Sequence, residues 1–252
     1  MGSIEQRRGL SVVEGEPTTP RRLSVILPVF DEADNVGPLT ERLVPVLDGL
    51  GFDYELLFVD DGSRDDSRAR IRRFVEAESR HRLLVHRTNR GQSAALATGL
   101  AAASGDWVLT LDTDLQNPPE EIPHLLAGGF EHDIVFGRRR RRCDSLAKRV
   151  ASRIGNAVRD RVTGHRVRDT GCALKLMRRR AFERIPLFDG AHRFLPTLFA
   201  GYGFSGREVE VEHAPRHAGR SKYGLVDRGL RGLVDCLAVR WLLARAVDRS
   251  DG

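Results

Sequence analysis

Asp112, Asp114 and Gln116 stand at alternate positions directly after the apolar run Trp107-Val108-Leu109-Thr110-Leu111 and just before Pro118-Pro119. An apolar, β-prone run stopped by acids and then prolines predicts a buried strand ending in a loop. Two carboxylates and an amide carbonyl are hard oxygen donors. At a strand's carboxyl end, where open α/β sheets seat ligands, they suit Mg²⁺ or Mn²⁺ shared with substrate phosphates. D-x-D is also a common acidic turn, so the triplet alone does not decide between the two.

The elements that must position this trio repeat its pattern. Leu23 to Phe30 is a β-prone apolar run ending at Asp31-Glu32, and Glu55 to Val59 ends at Asp60-Asp61-Gly62-Ser63. Leu83 to His86 leads through Asn89-Arg90-Gly91-Gln92 into the alanine-rich helix former Ser93 to Ala103. Between these strands, helices are expected from a cap at Asn35 to about Leu50, and from about Asp65 to Ser79. Strands alternating with helices imply right-handed βαβ units, a mostly parallel sheet and one ligand crevice along its carboxyl edge.

Further strands are expected at Asp133 to Gly137, in the extended segment that ends near Leu176, and at Gly206 to His213. A basic amphipathic helix is expected over Ser145 to Val162. The last helix sets Val226, Leu230, Leu233, Val234, Leu237 and Trp241 on one stripe. That stripe suits docking on the domain, or, with arginines on the other face, a position in a membrane interface.

With 252 residues, 40% hydrophobic and 30% charged, the chain has the balance of a soluble globular protein with a full core. Cys143, Cys172 and Cys236 are odd in number and widely spaced, which argues against a disulfide framework or a zinc site and fits a reducing compartment. Met1 to Pro20 has no apolar signal core and reads as a flexible tail, and charges interrupt Leu225 to Val247 too often for a transmembrane span. The net charge of +6 points to an anionic partner. Nucleic acid is disfavoured, since carboxylates cluster where a phosphate backbone would approach and aromatics are only 6%. Gly201 to Gly206 matches G-x-G-x-x-G, but it neither follows a clear strand nor opens a helix, so it is no dinucleotide fingerprint.

Six segments then occur in order: Pro28-Val29-Phe30-Asp31-Glu32, Val59-Asp60-Asp61-Gly62-Ser63, Asn89-Arg90-Gly91, Asp112-Thr113-Asp114-Leu115-Gln116, Gly137-x-Arg139 and Arg220-Ser221-Lys222-Tyr223-Gly224. Together they resemble the family-2 glycosyltransferases of the GT-A fold. Asp114-Leu115-Gln116, Asp169-Thr170-Gly171 and Arg220 to Gly224 resemble in particular the polyprenyl-phosphate sugar transferases typified by dolichol-phosphate mannose synthase.

The resemblance implies a GT-A domain over 21–224, after a tail at 1–20 and before a C-terminal amphipathic helix and tail at 225–252. It implies Mg²⁺ or Mn²⁺ on Asp112, Asp114 and Gln116, and inverting transfer from a nucleotide-diphosphate sugar to a polyprenyl phosphate, peripherally at the cytoplasmic face of the membrane. Donor contacts fall on Pro28, Phe30, Glu32, Asp60, Asp61, Asn89, Gly91 and Asp112. Asp31 is also able to accept from a base or ribose, while Asp60-Asp61 serves equally as a helix cap. Arg138, Arg139, Arg220, Ser221 and Lys222 fall on the acceptor phosphate, and Asp114, Arg139 and Asp169 on catalysis.

A lipid monophosphate is already ionised at neutral pH and needs no general base, whereas a hydroxyl acceptor must lose a proton. Asp169 is therefore either a base or the residue that orders the acceptor arginines, and a family-2 enzyme acting on a glycan, lipid or protein hydroxyl is the alternative. The run Arg138 to Arg142 is open between a solvated loop and an anionic-lipid contact. His192 is open between the acceptor side and a satisfied surface position.

Overall fold

The computed structural model describes residues 22–127, 129–140, 155, 157–218 and 225–246, with the backbone alone for 225–231. Apolar runs become strands wherever expected: β1 (Arg22–Val29), β2 (Asp53–Asp60), β3 (Arg82–Val85), β4 (Trp107–Thr110), β5 (Ile134–Arg139), β6 (Lys175–Arg178) and β7 (Gly206–Val211). They form one sheet in the order β3-β2-β1-β4-β6-β5-β7. β1, β2, β3 and β4 are mutually parallel, β6 runs antiparallel to both β4 and β5, and β7 is parallel to β5.

The chain thus builds outward from β1 to β3 and then returns to the other side of β1 with β4. That reversal opens a crevice between the carboxyl ends of β1 and β4, where doubly wound sheets bind ligands.

Strand alternation divides the core into two layers. Leu23, Val25, Leu27 and Val29 of β1 point to one side with Tyr54, Leu56 and Phe58 of β2, under α1 (Ala33–Asp48) and α2 (Ser67–Glu76). Ile26, Leu57 and Val59 point to the other, against Ala95 and Leu96 of α3 (Gln92–Ala102). A side chain at Gly99 would place its Cβ 2.5 Å from Ile26, so glycine lets α3 lie close on the sheet.

Asn35 does not cap α1. It lies in the first turn, where its amide donates to the Glu32 carboxylate and, at 3.4 Å, to the Ala218 carbonyl. The expected helix over Ser145 to Val162 and the tail at 1–20 fall mostly or wholly outside the described residues; 157–163 is helical.

One polar knot ties this half of the sheet together. Glu55, buried on β2, accepts from Ser24 Oγ (2.6 Å), Ser104 N (2.8 Å), Ser104 Oγ (2.7 Å) and Arg82 (2.7 Å). Burial pushes its pKa up, but these hydrogen bonds outweigh it and hold the carboxyl down at about 2, against an ordinary 4.5. A depressed carboxylate stabilises the fold above the unfolded-state pKa and ceases to do so as pH falls through the folded one. Between about pH 4.5 and 2, the wild type should therefore lose its advantage in thermal unfolding over Glu55→Gln. A gap that stays constant across that window would contradict this assignment.

On the C-terminal helix (Leu225–Ala244) the described part of the expected stripe faces outward rather than docking. Cys236 and Val239 face the domain, and Leu243 lies over Gly201. Leu233, Val234, Leu237 and Trp241 face outward, between 45% and 65% exposed. Over 232–244 the helix carries two apolar lines, and the one with Cys236 and Val239 docks. No helix among the described residues is long and apolar enough to cross a membrane.

Candidate active site

The two sides of the crevice are built from strained turns. Among the described residues, Asp31 (φ 50°) and Leu115 (φ 60°) are the non-glycine positions with positive φ, one after β1 and one inside the acidic segment after β4. Such a conformation costs of order 1–3 kcal/mol and persists where its surroundings enforce it, often at functional sites.

Here the surroundings are visible. Asp31 N donates to Ser63 Oγ (3.0 Å), Asp31 Oδ1 accepts from Arg64 N (2.7 Å), and Leu115 is buried. The reversal at Leu115 brings Gln116 N to 3.1 Å from Asp114 Oδ1.

Asp112 Oδ1 accepts from Gln92 Nε2 at 2.7 Å, at the start of α3. Among the described residues its Oδ2 has no hydrogen-bond partner. Burial and the neighbouring Asp114 carboxylate push the Asp112 pKa up to about 6. Asp114 Oδ2 faces the Arg216 guanidinium at 2.8 Å, and the same guanidinium reaches Glu32 Oε1 at 3.5 Å.

A cation already sits on the acid pair, so the charge of this corner calls for one. The structure places the two carboxylates here and the backbone of Gln116 beside Asp114, and no group of three His, Cys, Asp or Glu forms a cage among the described residues. That set fits Mg²⁺ or Mn²⁺ completed by phosphate oxygens and water.

Asp60 and Asp61 do structural work in this state. Asp60 accepts from Ser63 N (3.0 Å) and pairs with Arg68 (2.7 Å). Asp61 accepts from Arg90 N and Gly91 N, both at 2.8 Å, and meets His86 Nδ1 at 2.7 Å. The pair therefore holds the loop that opens α3 beside the crevice. Gly62 (φ 76°) is required here, since a Cβ would lie 2.6 Å from the Thr88 carbonyl carbon. Asn89 is exposed on the same loop.

Of the residues expected on the acceptor side, Arg139 on β5 and Asp169 in the turn before β6 are brought together. Asp169 is buried and takes Arg139 as a fork, with Nε to Oδ2 at 2.7 Å and NH2 to Oδ1 at 2.9 Å, while Gly171 N also reaches Oδ1 at 3.1 Å. Arg138 instead pairs outward with Glu210 on β7. Lys175, at the start of β6, is buried and donates to the Cys172 carbonyl. Burial pushes its ammonium pKa down, against the pull of Cys172, Asp112 and Asp169.

His192 falls in a short 3-10 turn and meets Ser93 Oγ at 2.9 Å, the satisfied alternative. Arg220, Ser221 and Lys222 lie outside the described residues.

Comparison with known proteins follows this geometry closely. The family model described as "Glycosyl transferase family 2" matches residues 24–186. The chain belongs to glycosyl transferase family 2.

This family-2 transferase is 38% identical over 207 residues to the undecaprenyl-phosphate 4-deoxy-4-formamido-L-arabinose transferase of Proteus mirabilis, covering 81% of the chain and 64% of that relative. It is 34% identical over 247 residues to the dodecaprenyl-phosphate galacturonate synthase of Rhizobium johnstonii, covering 96% and 72%. The chain thus spans about two thirds of these relatives' length. Among solved structures it resembles glucosyl-3-phosphoglycerate synthase from Mycobacterium tuberculosis: the complex with Mn²⁺, UDP and product at TM-score 0.65 and 24% identity over 87% of this chain and 80% of that one, and the UDP complex at 0.63 and 25% over 94% and 86%. These likenesses support the GT-A fold of the transferase.

Four residues of the transferase's crevice escape sequence reasoning: Gln92, Lys175, Arg216 and, in its actual role, Asn35. Gln92 carried a signal, since it follows the glycine that opens α3. Arg216 had none beyond lying four residues before Arg220.

Proposed function

We propose that this transferase moves a sugar from a nucleotide-diphosphate donor to a polyprenyl phosphate. The observation that carries the reading is the Asp169 carboxylate clamped on Arg139. Both its oxygens serve that guanidinium, so the acceptor side offers an oriented cation where a hydroxyl acceptor would need a base. Support comes from the relatives, whose names specify undecaprenyl and dodecaprenyl phosphate.

In this reading the acceptor phosphate, already ionised, attacks the anomeric carbon with inversion, and the bond from that carbon to the diphosphate oxygen breaks. Glu32, Asn89, Gly91 and the loop held by Asp60 and Asp61 line the donor side, with Pro28 and Phe30 at the end of β1. Asp112, Asp114 and Gln116 hold a divalent cation, which supplies Lewis-acid charge at the leaving diphosphate. Arg139, ordered by Asp169, with Arg220, Ser221 and Lys222 orients the acceptor phosphate.

Residues 21–224 form the transferase unit in this proposal, and 225–252 lay its exposed line, Leu233, Val234, Leu237 and Trp241, on the inner face of the membrane. A membrane contact is supported by Arg245, stacked 5.3 Å over Trp241, since aromatic rings and cations favour the headgroup layer.

The test is transfer of label from a panel of UDP- and GDP-sugars, with Mn²⁺ or Mg²⁺, into an organic phase containing a short polyprenyl phosphate, alongside flotation with anionic vesicles. Metal-dependent extraction of one sugar, and flotation reduced by Trp241→Asp, are expected. Donor hydrolysis with no lipid-linked product would contradict the acceptor, and flotation unchanged by Trp241→Asp would contradict the membrane contact.

A further inference from the structure

The segment after β7 lies across the mouth of the crevice. Ala214 N donates to Gln116 O at 2.9 Å, His217 N to Asp114 O at 3.3 Å, and the Ala218 carbonyl accepts from Asn35 at 3.4 Å. The groups that receive this strap lie on both flanks of the crevice: Asp114 and Gln116 in the segment after β4, and Asn35 in the first turn of α1, just after β1. At its centre Arg216 bridges Glu32 and Asp114, whose side chains are 12% and 9% exposed, while its own is 28% exposed.

Arg216 thus joins Glu32 to Asp114, and two cations, Arg216 and Lys175, offset the negative charge that these carboxylates place around Asp112. Lys175 is fixed, buried within β6 and bonded to the Cys172 carbonyl. Arg216 is carried on a connecting segment and sits in the more open position, so it is the exchangeable one.

We propose that Arg216 is a resident counter-ion which occupies the charge position of the divalent cation at Asp114, latches the strap 214–218 over the crevice, and must leave Asp114 when that cation binds. A guanidinium at 2.8 Å and a divalent ion on the same carboxylate repel each other and compete for its negative charge. Metal binding and strap closure are therefore linked with negative sign: the cation that binds Asp114 also releases the arginine and the strap 214–218. Arg216 acts through Asp114 and the strap, and is a positioning residue. The inference rests on the assignment of Asp112 and Asp114 as the cation site.

The experiment is Mn²⁺ binding by calorimetry to the full chain without donor, for wild type, Arg216→Met, Arg216→Lys and Asp114→Asn, together with amide hydrogen exchange of wild type with and without Mn²⁺. Arg216→Met should bind Mn²⁺ about tenfold more tightly than wild type, within the usual range for coupled sites, with Arg216→Lys in between. In wild type, Mn²⁺ should speed exchange of the strap amides Ala214 and His217, a readout that needs no variant to fold.

Equal or weaker Mn²⁺ binding by Arg216→Met, or strap exchange in wild type that Mn²⁺ leaves unchanged or slows, would overturn the latch. If Asp114→Asn nonetheless abolishes binding in that case, the cation site survives without it. Mn²⁺ binding undiminished by Asp114→Asn would overturn the site and the latch together.

Discussion

Asp114→Asn is expected to cut sugar transfer by on the order of 10²–10³-fold while leaving the protein folded, the scale seen when one preorganised electrostatic contact to a developing charge is removed. The fold should tolerate the change. Asn retains an oxygen for the Gln116 amide, and Arg216, the more open member of the pair, keeps Glu32 as a partner. Activity should fall in kcat more than in donor KM, because the lost interaction is with charge that grows as the glycosidic bond breaks. Steady-state kinetics beside a thermal melt would check both halves. Undiminished transfer would remove Asp114 from the mechanism, and a collapsed melt would show that its role is structural.

Asp169→Asn is expected to damage stability and turnover together. The wild-type carboxylate receives Arg139 through Nε and NH2, the Arg139 amide at 3.2 Å and the Gly171 amide at 3.1 Å. Asn offers one acceptor and a donor where only donors face it. Removing one member of a buried pair costs about 3–5 kcal/mol, which for a chain of this size lowers Tm by roughly 6–20 °C. Turnover with the lipid phosphate should drop because Arg139 loses its aim, while nucleotide binding at the β1 and β4 ends stays intact. Loss of turnover with an unchanged Tm would instead mark Asp169 as a general base and favour a hydroxyl acceptor.

How far the sequence could be read depended on what each signal encodes. β1, β2 and β4 were legible because strands buried on both faces must be apolar runs, and the acids ending them must lie at one edge once the sheet is parallel. β6 was harder. Lys175 opens it, and its antiparallel insertion between β4 and β5 follows from chain return rather than from local preference.

The C-terminal helix shows the limit of periodicity, which reports that an apolar line exists but not which of two lines meets the domain. Cys236 and Val239 dock, although Leu237 and Trp241 are larger. Asp60 and Asp61 were ambiguous between ligand and cap, and their partners Ser63, Arg68, Arg90 and Gly91 show them holding loops. Arg216 was invisible because its position depends on a connection folding back across about a hundred residues to meet Asp114.

The most direct test of the central claim is a paired assay in which the preferred sugar nucleotide meets either a polyprenyl phosphate or the same polyprenol without its phosphate, under identical metal and detergent. Glycosylation of the phosphate and none of the alcohol is expected, because Arg139 held by Asp169 recognises an anion and supplies no base. Transfer to the alcohol at a comparable rate would contradict it.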